Sequence, residues 1–188
     1  MHSLNLLPTD WETKRFRIRR IQAAEAGQVQ DFYEKVMPST GWNEGTFNPT
    51  YISDAMAGKP ELPPNGEVGR VLMQLAERKE SGEEQDIAAL IEMYHGYPGE
   101  QDLYIGLFGI DPNYRGLGYG KEIVAGIVQA ASELGFEKVR VAVDLKNWPG
   151  LRFWIGCGFT EAVKVKGEWE HGEEAIAVIE LAMSIEKG

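Results

Sequence analysis

Apolar and charged positions alternate over residues 15–21 (RFRIRRI), with Phe16 and Ile18 on one face and Arg15, Arg17 and Arg19 on the other. That period of two predicts a half-buried strand. The spacing turns helical over 23–37, where Val29, Phe32, Tyr33 and Val36 form one stripe and Pro38 supplies the stop. Strands are predicted over 70–79, 86–97 and 102–110, joined by SGEE (81–84) and GYPGE (96–100). Joints this short make antiparallel neighbours. Residues 70–79 (RVLMQLAERK) also have helix-forming composition, and the neighbouring turns decide for a strand. A helix over 118–134 carries Ile123, Val124, Ile127, Val128, Ala131 and Leu134 on one stripe and ends at Gly135. Val139, Val141 and Val143 alternate in a strand over 137–145, a short helix follows at 149–156, and 159–168 with 174–185 reads as a last hairpin.

Between the first helix and the strand run lies an irregular stretch, 38–66, punctuated by Gly and Pro, with a short helix near 49–57. It carries Trp42, Phe47 and Tyr51 and reads equally as an acceptor wall or as a packing lid. Runs of strands with inserted helices predict an α/β chain of the α+β type. The unit 102–145 is strand, glycine loop, helix, strand, so its two strands would pair in parallel with a right-handed crossover.

The 188 residues fit one domain, 1–188, since about 100–200 residues usually make one. A net charge of −10 argues against a protein that grips nucleic acid through phosphates and favours cationic or neutral partners. The basic run Lys14–Arg20 reads as a solvated strand face, with an anion site as the rival. One cysteine, Cys157, excludes an internal disulfide framework and makes a reducing cytoplasm the simplest home. No apolar run is long enough to span a membrane, and Met1–Trp11 lacks the basic leader of a signal peptide. No His, Cys, Asp and Glu spacing suits a metal, and none is expected. His2, His171, Trp148 and Trp169 read as surface or rim residues, although Trp169 could border an acceptor.

The segment with chemistry in it is Ile110-Asp111-Pro112-Asn113-Tyr114-Arg115-Gly116-Leu117-Gly118-Tyr119-Gly120-Lys121. A strand runs through three alternating glycines into a helix. Glycine lets a ligand approach the backbone closely, and the first helical amides have no internal partner. Helix dipole, free amides, Arg115 and Lys121 together predict a phosphate site. The Walker pattern fails, because Arg115 stands where its first glycine belongs and Glu122 follows Lys121. The GxGxxG fingerprint fails as well, although Asp144 keeps a dinucleotide reading open.

Arg115-x-x-Gly118-x-Gly120 resembles the acetyl-coenzyme A signature of the GNAT superfamily of N-acetyltransferases. Three further features resemble that family: Ile110-Asp111-Pro112 at the strand end, Asn147 after the next strand, and Phe153-Trp154-Ile155-Gly156-Cys157-Gly158-Phe159. They run in the family's order over about 103–159. The resemblance implies a GNAT-like, mostly antiparallel twisted sheet flanked by helices, with acetyl-CoA as co-substrate and an amine of a small molecule or peptide as acceptor. It implies that the backbone at Phe108, Gly109 and Ile110 receives the acetyl group and pantetheine arm. The amides of Gly116, Leu117, Gly118, Tyr119, Gly120 and Lys121 would cradle the pyrophosphate beside Arg115, and Asn147 would hold the arm. Trp154, bordering the cofactor, occupies the place of the family's thiolate-protonating tyrosine. An indole N–H is a far poorer acid, so water, Cys157 or no acid at all would serve the thiolate.

The strand Leu103–Ile110 lacks the glutamate or histidine that some members use as base; its nearest polar residue is Tyr104. On the preceding strand, alternation puts Glu92 and Tyr94 on one face and His95 on the other. Glu92 is the first candidate base, with Tyr104 and His95 behind it. A homodimer is compatible with such a fold. A non-catalytic acyl-CoA-binding domain and a nucleotide-binding protein of another fold remain the rivals.

Overall fold

Eight strands form one open sheet in the order β1-β2-β3-β4-β5-β6-β8-β7. The strands are β1 (Asp10–Glu12), β2 (Phe16–Arg20), β3 (Val71–Arg78), β4 (Ile87–His95), β5 (Asp102–Ile110), β6 (Lys138–Asp144), β7 (Glu161–Gly167) and β8 (Ala177–Ser184). The helices are α1 (Ala26–Val36), α2 (Tyr51–Met56), α3 (Tyr119–Glu133) and α4 (Trp148–Gly156). The computed structural model describes residues 7–37, 48–80, 86–168, 170, 172 and 175–185. Pro38, Trp42, Phe47, Trp169, His171 and the 81–84 turn, all singled out from the sequence, lie outside the described residues.

Every pairing is antiparallel except β5 with β6. That exception follows from the helical crossover through α3, which returns the chain in the same direction. The expected mixed, mostly antiparallel α/β sheet is therefore found. The predicted strand over 70–79 is β3, Val71–Arg78: Leu75 and Ala76 are fully buried, one to each face, which a sheet between two helical layers requires.

Two clusters divide the core between the faces. Phe16, Ile18, Ile91, Met93, Leu103, Ile105, Val139 and Val141 pack under α3 and α4. Leu75, Leu90 and Leu107 pack under α1 and α2 with Val29, Phe32 and Ile52. α3 buries the stripe Ile123, Val124, Ile127 and Ala131, as its periodicity predicts.

One element was not predicted, and one expectation needs correction. The chain before residue 13 contains β1, a three-residue edge strand too short for its alternation to register. Nor is the arginine run of β2 one solvated face. Arg19 is buried, with its guanidinium held by Glu25 at 2.6 Å and Glu77 at 2.8 Å. Those carboxylates come from the turn before α1 and from β3, so the burial is satisfied by ion pairing that β2 alone does not reveal.

Candidate active site

β5 carries a bulge. Glu92 on β4 faces Leu107 while the next residue, Met93, faces Ile105, so Gly106 is the extra residue. β5 and β6 pair only from Asp102–Lys138 to Ile105–Val141. Beyond Gly106 they part, and β6 continues alone with β8 through Asp144–Val178.

The ladder fixes which way the backbone faces in the gap. Asp111 N–H donates to Ala88 C=O at 2.9 Å, and orientation alternates along a strand. Leu107 and Gly109 therefore turn their amides to β4, and Phe108 and Ile110 turn theirs toward the side that β6 has left. Gly109 has a different part: a Cβ there would collide with Val36, so its smallness lets α1 lie on β5.

At the end of the gap the chain enters the glycine loop. Gly116 and Gly118 both have φ of 77°, where a glycine avoids the strain other residues meet. Gly118 is the N-cap of α3, and its carbonyl accepts from Glu122 N–H at 3.2 Å. The amides of Tyr119, Gly120 and Lys121 lie in the first turn, which has no intrahelical acceptor for them. Gly120 serves packing: a Cβ there would stand 2.9 Å from Phe153 Cε2.

The two cations of the motif are engaged at the edge of the gap and at the end of α4. Arg115 donates from Nε to Ile110 C=O and from Nη2 to Val36 C=O, both at 3.2 Å, tying the end of α1 to the loop. Lys35 Nζ reinforces that tie with Asp111, 2.6 Å away. Lys121 Nζ reaches toward Gly156 at the end of α4, where a helix C-terminus favours a cation. Beside the loop stands a further cation, Arg15. Its guanidinium lies 4.3 Å over the Tyr119 ring, and its Nη2 is 3.9 Å from where a Cβ on Gly118 would be. Glu122 fixes it through Arg15 Nε at 2.5 Å and Arg15 N–H at 2.8 Å, while Thr13 Oγ1 donates to the same carboxylate at 2.7 Å. These contacts hold Glu122 below the usual carboxylate range in spite of its burial.

The other expected residues are placed as follows. Asn147 caps α4, accepting from Gly150 N–H at 2.9 Å. Trp154 is 8% exposed and sits edge-on to Phe108, Phe153 and Phe159 at 5.0–5.5 Å, so it is part of the core as well as a neighbour of the gap. Cys157 is half-buried beyond it, and burial pushes its thiol up, away from thiolate character.

On the α1 and α2 side of the bulge is Glu92, 8% exposed. One oxygen, Oε2, accepts from Tyr51 O–H at 2.5 Å, and a Cβ on Gly106 would stand 2.8 Å from the other, Oε1. Burial, with Glu61 nearby, pushes this carboxyl up to about 7, against the lowering effect of the Tyr51 bond. Tyr104 lies two residues before the bulge, opposite Tyr94; burial first, then Glu180, raises its hydroxyl to about 12. His95 is paired with Leu103, three residues before the bulge, and is buried with Nε2 unpartnered. Burial and Arg70 lower its affinity for a proton.

The bulge, the Tyr51–Glu92 pairing and the place of Arg15 beside the glycine loop were not foreseen, although the sequence offered Tyr51 in a candidate acceptor wall and Arg15 in a candidate anion site. Gly106 left a signal, because a glycine inside a strand pattern marks a bulge or a close approach, and β5 carries two, Gly106 and Gly109. The partners of Tyr51 and Arg15 left none, since they are 41 and 107 residues away.

A sequence model of the Acetyltransferase (GNAT) family matches residues 49–159. This chain belongs to the GNAT acetyltransferase family. The GNAT sheet is shared with many solved structures at low identity. One is a chimera of the spermidine N-acetyltransferase SpeG from Vibrio cholerae and hSSAT, with TM-score 0.68, 10% identity and 91% and 96% of the two chains covered. Arabidopsis thaliana NAA60, solved with a bisubstrate analogue, gives TM-score 0.65 and 13% identity over 91% of this chain and 99% of that one. The ribosomal-protein-S18-alanine N-acetyltransferase of Escherichia coli gives 0.63 and 11% over 89% and 92%. No curated protein matches the GNAT chain by sequence.

Proposed function

We propose that this GNAT protein is an N-acetyltransferase that moves the acetyl group of acetyl-CoA to an amine by direct attack. The observation that carries the reading is the parting of β5 and β6 at Gly106, beside a glycine loop that opens α3. The pantetheine arm would lie in that gap as a strand lies on a sheet edge, taking the backbone groups of Phe108 and the N–H of Ile110, whose carbonyl accepts from Arg115. The pyrophosphate would rest on the amides from Gly116 to Lys121, with Arg115 and the Arg15 guanidinium, itself paired with Glu122, beside them. Asn147 would reach the arm from the cap of α4.

The acceptor would come from the face of α1 and α2. Its nitrogen bonds to the acetyl carbon, the carbon–sulfur bond breaks, and the amine proton passes to Glu92, directly or through one water. A carboxyl near 7 is matched to that task around neutral pH. Backbone N–H groups facing the gap would stabilise the developing oxyanion, and holding amine and thioester together supplies the proximity effect. Thiolate, with a free pKa of about 8.5, leaves without a tyrosine at position 154.

The acidic chain, at net charge −10, suits a cationic acceptor. Calorimetric titration with acetyl-CoA, with NAD and ATP as controls, tests the cofactor half. A transfer assay with spermidine and with an alanine-initiated peptide, the kinds of acceptor that two structural neighbours name, tests the other. Binding of acetyl-CoA without transfer to any amine would favour a non-catalytic acyl-CoA sensor. Binding of NAD or ATP alone would overturn the family's chemistry for this chain.

A further inference from the structure

We propose that Tyr51 is the positioning residue for Glu92: its hydroxyl pins one carboxylate oxygen so that the other faces the bulge at Gly106, where the acceptor nitrogen would arrive. The inference rests on the reading of Glu92 as base.

The geometry is specific. A glutamate on a strand has three rotatable side-chain bonds, and burial alone leaves open which oxygen meets the gap. Tyr51 O–H donates to Oε2 at 2.5 Å, and Oε1 then stands over Gly106. Glycine at 106 leaves the room that this oxygen occupies.

Tyr51 is itself held from α1. Its ring stacks on Tyr33 with centroids 4.8 Å apart and planes 12° from parallel. Gln30 Oε1 accepts from Ile52 N–H at 3.0 Å, and Gln30 Nε2 donates to Asn48 C=O at 3.2 Å, so one side chain fixes the start of α2. α1 is in turn tied to the cofactor loop through Lys35–Asp111 and Arg115–Val36. The base is thus positioned from the same helix that borders the cofactor loop.

The titratable groups that bear on Glu92 are Tyr51 from α2, Tyr33 from α1 and Glu61 from the segment after α2, while Tyr94 shares its face of β4 two residues on and is paired with Tyr104 on β5. Of these, Tyr51 stabilises the carboxylate by a hydrogen bond, and Glu61 opposes its charge. Tyr94 is engaged otherwise, its hydroxyl accepting from Glu67 N–H at 2.9 Å.

The test is a titration of the whole protein labelled with carboxyl-carbon-13 glutamate, followed by NMR and assigned with Glu92→Gln. Tyr51→Phe keeps the ring on Tyr33 and removes only the hydroxyl. We expect the Glu92 midpoint to rise by about one to two pH units, the worth of a hydrogen bond to a charged group. Tyr94→Phe should leave it in place. In the transfer assay, with whichever of spermidine and the alanine-initiated peptide is turned over, the acid limb of kcat/KM should move by the same amount. The rate of Tyr51→Phe should then recover at alkaline pH, whereas a purely structural defect would lower it evenly. An unmoved midpoint in Tyr51→Phe overturns the proposal. A moved midpoint together with a Glu92→Gln protein that keeps its transfer rate overturns the reading of Glu92 as base instead.

Discussion

The glycine loop and the Glu92 pocket lie on opposite sides of one bulge and are built in opposite ways. The loop is a continuous dozen residues that are mostly exposed, and its donors are backbone amides. The pocket is buried, its groups are side chains, and they come from α1, α2, β4 and β5. A phosphate needs amides and a local turn, so its site can be written into consecutive residues. A base of raised pKa needs burial and a chosen partner, and those exist only after the sheet has formed. Substitutions should therefore separate the two regions cleanly. Loop changes should alter cofactor affinity with the pH profile kept, and pocket changes should do the reverse.

The largest effect is expected at Glu92. Glu92→Gln should lower kcat/KM by about 10²–10⁴-fold, the usual worth of a general base, and erase the limb near pH 7. Its affinity for acetyl-CoA should stay at the wild-type value by calorimetry. Stability gives a second readout with a definite sign. The folded carboxyl titrates near 7 and the unfolded one near 4.5, so the folded state holds the extra proton between them. Wild-type stability should therefore be greatest below pH 4.5 as far as this group decides it, and fall as pH rises to about 7. Melting curves of Glu92→Gln should show that slope removed.

Next comes Gly118→Asp. Aspartate tolerates the left-handed backbone better than most residues, so the fold should survive. A carboxylate among the phosphate amides should weaken acetyl-CoA by roughly 100-fold, about 2.8 kcal/mol. Gly120→Ala is the contrast within the same motif. Its new methyl meets Phe153, so it should cost about 1–3 kcal/mol of stability as over-packing does, read as a lower melting midpoint. Equal affinity losses in both variants would mean that the glycines are not divided between ligand and packing.

How much of this was legible follows from the same contrast. Helix α3, the valine alternation of β6 and the glycine loop declare themselves over short windows, and the sequence motifs for them stand in the chain as read. Glu92 was recognisable as a candidate because Leu103–Ile110 lacks a glutamate or histidine and Glu92 stands on the strand before it. Its partner was not, because Tyr51 lies in the least regular stretch and meets Glu92 only across the α2–β4 contact. Arg15 shows the opposite failure. Adjacency assigned the loop's charge to Arg115 and Lys121, and the fold brings a further cation, Arg15, from before β2 to the same loop. Arg15→Ala should thus weaken acetyl-CoA about tenfold, with kcat kept at saturation. A matching loss with 3′-dephospho-acetyl-CoA would assign Arg15 to the pyrophosphate, and no loss with that analogue would assign it to the 3′-phosphate.

The smallest effect is expected at Trp154, where the family resemblance would have placed an acid. Trp154 borders both regions: it packs on Phe108, whose backbone faces the gap, and on Phe159 in the core. If thiolate release needed a proton from this position, an indole would leave the reaction slow and tyrosine would accelerate it. The thiolate's own stability argues that no such donor is needed. Trp154→Tyr should therefore keep the transfer rate within a few-fold while losing about 1–2 kcal/mol of stability, because a smaller ring leaves space beside Phe108 and Phe159. A folded Trp154→Tyr protein without activity would show that the indole itself shapes the gap. A gain of tenfold or more would show that the missing acid limits the reaction, and would move the centre of the chemistry from the Glu92 side of the bulge to the thioester side.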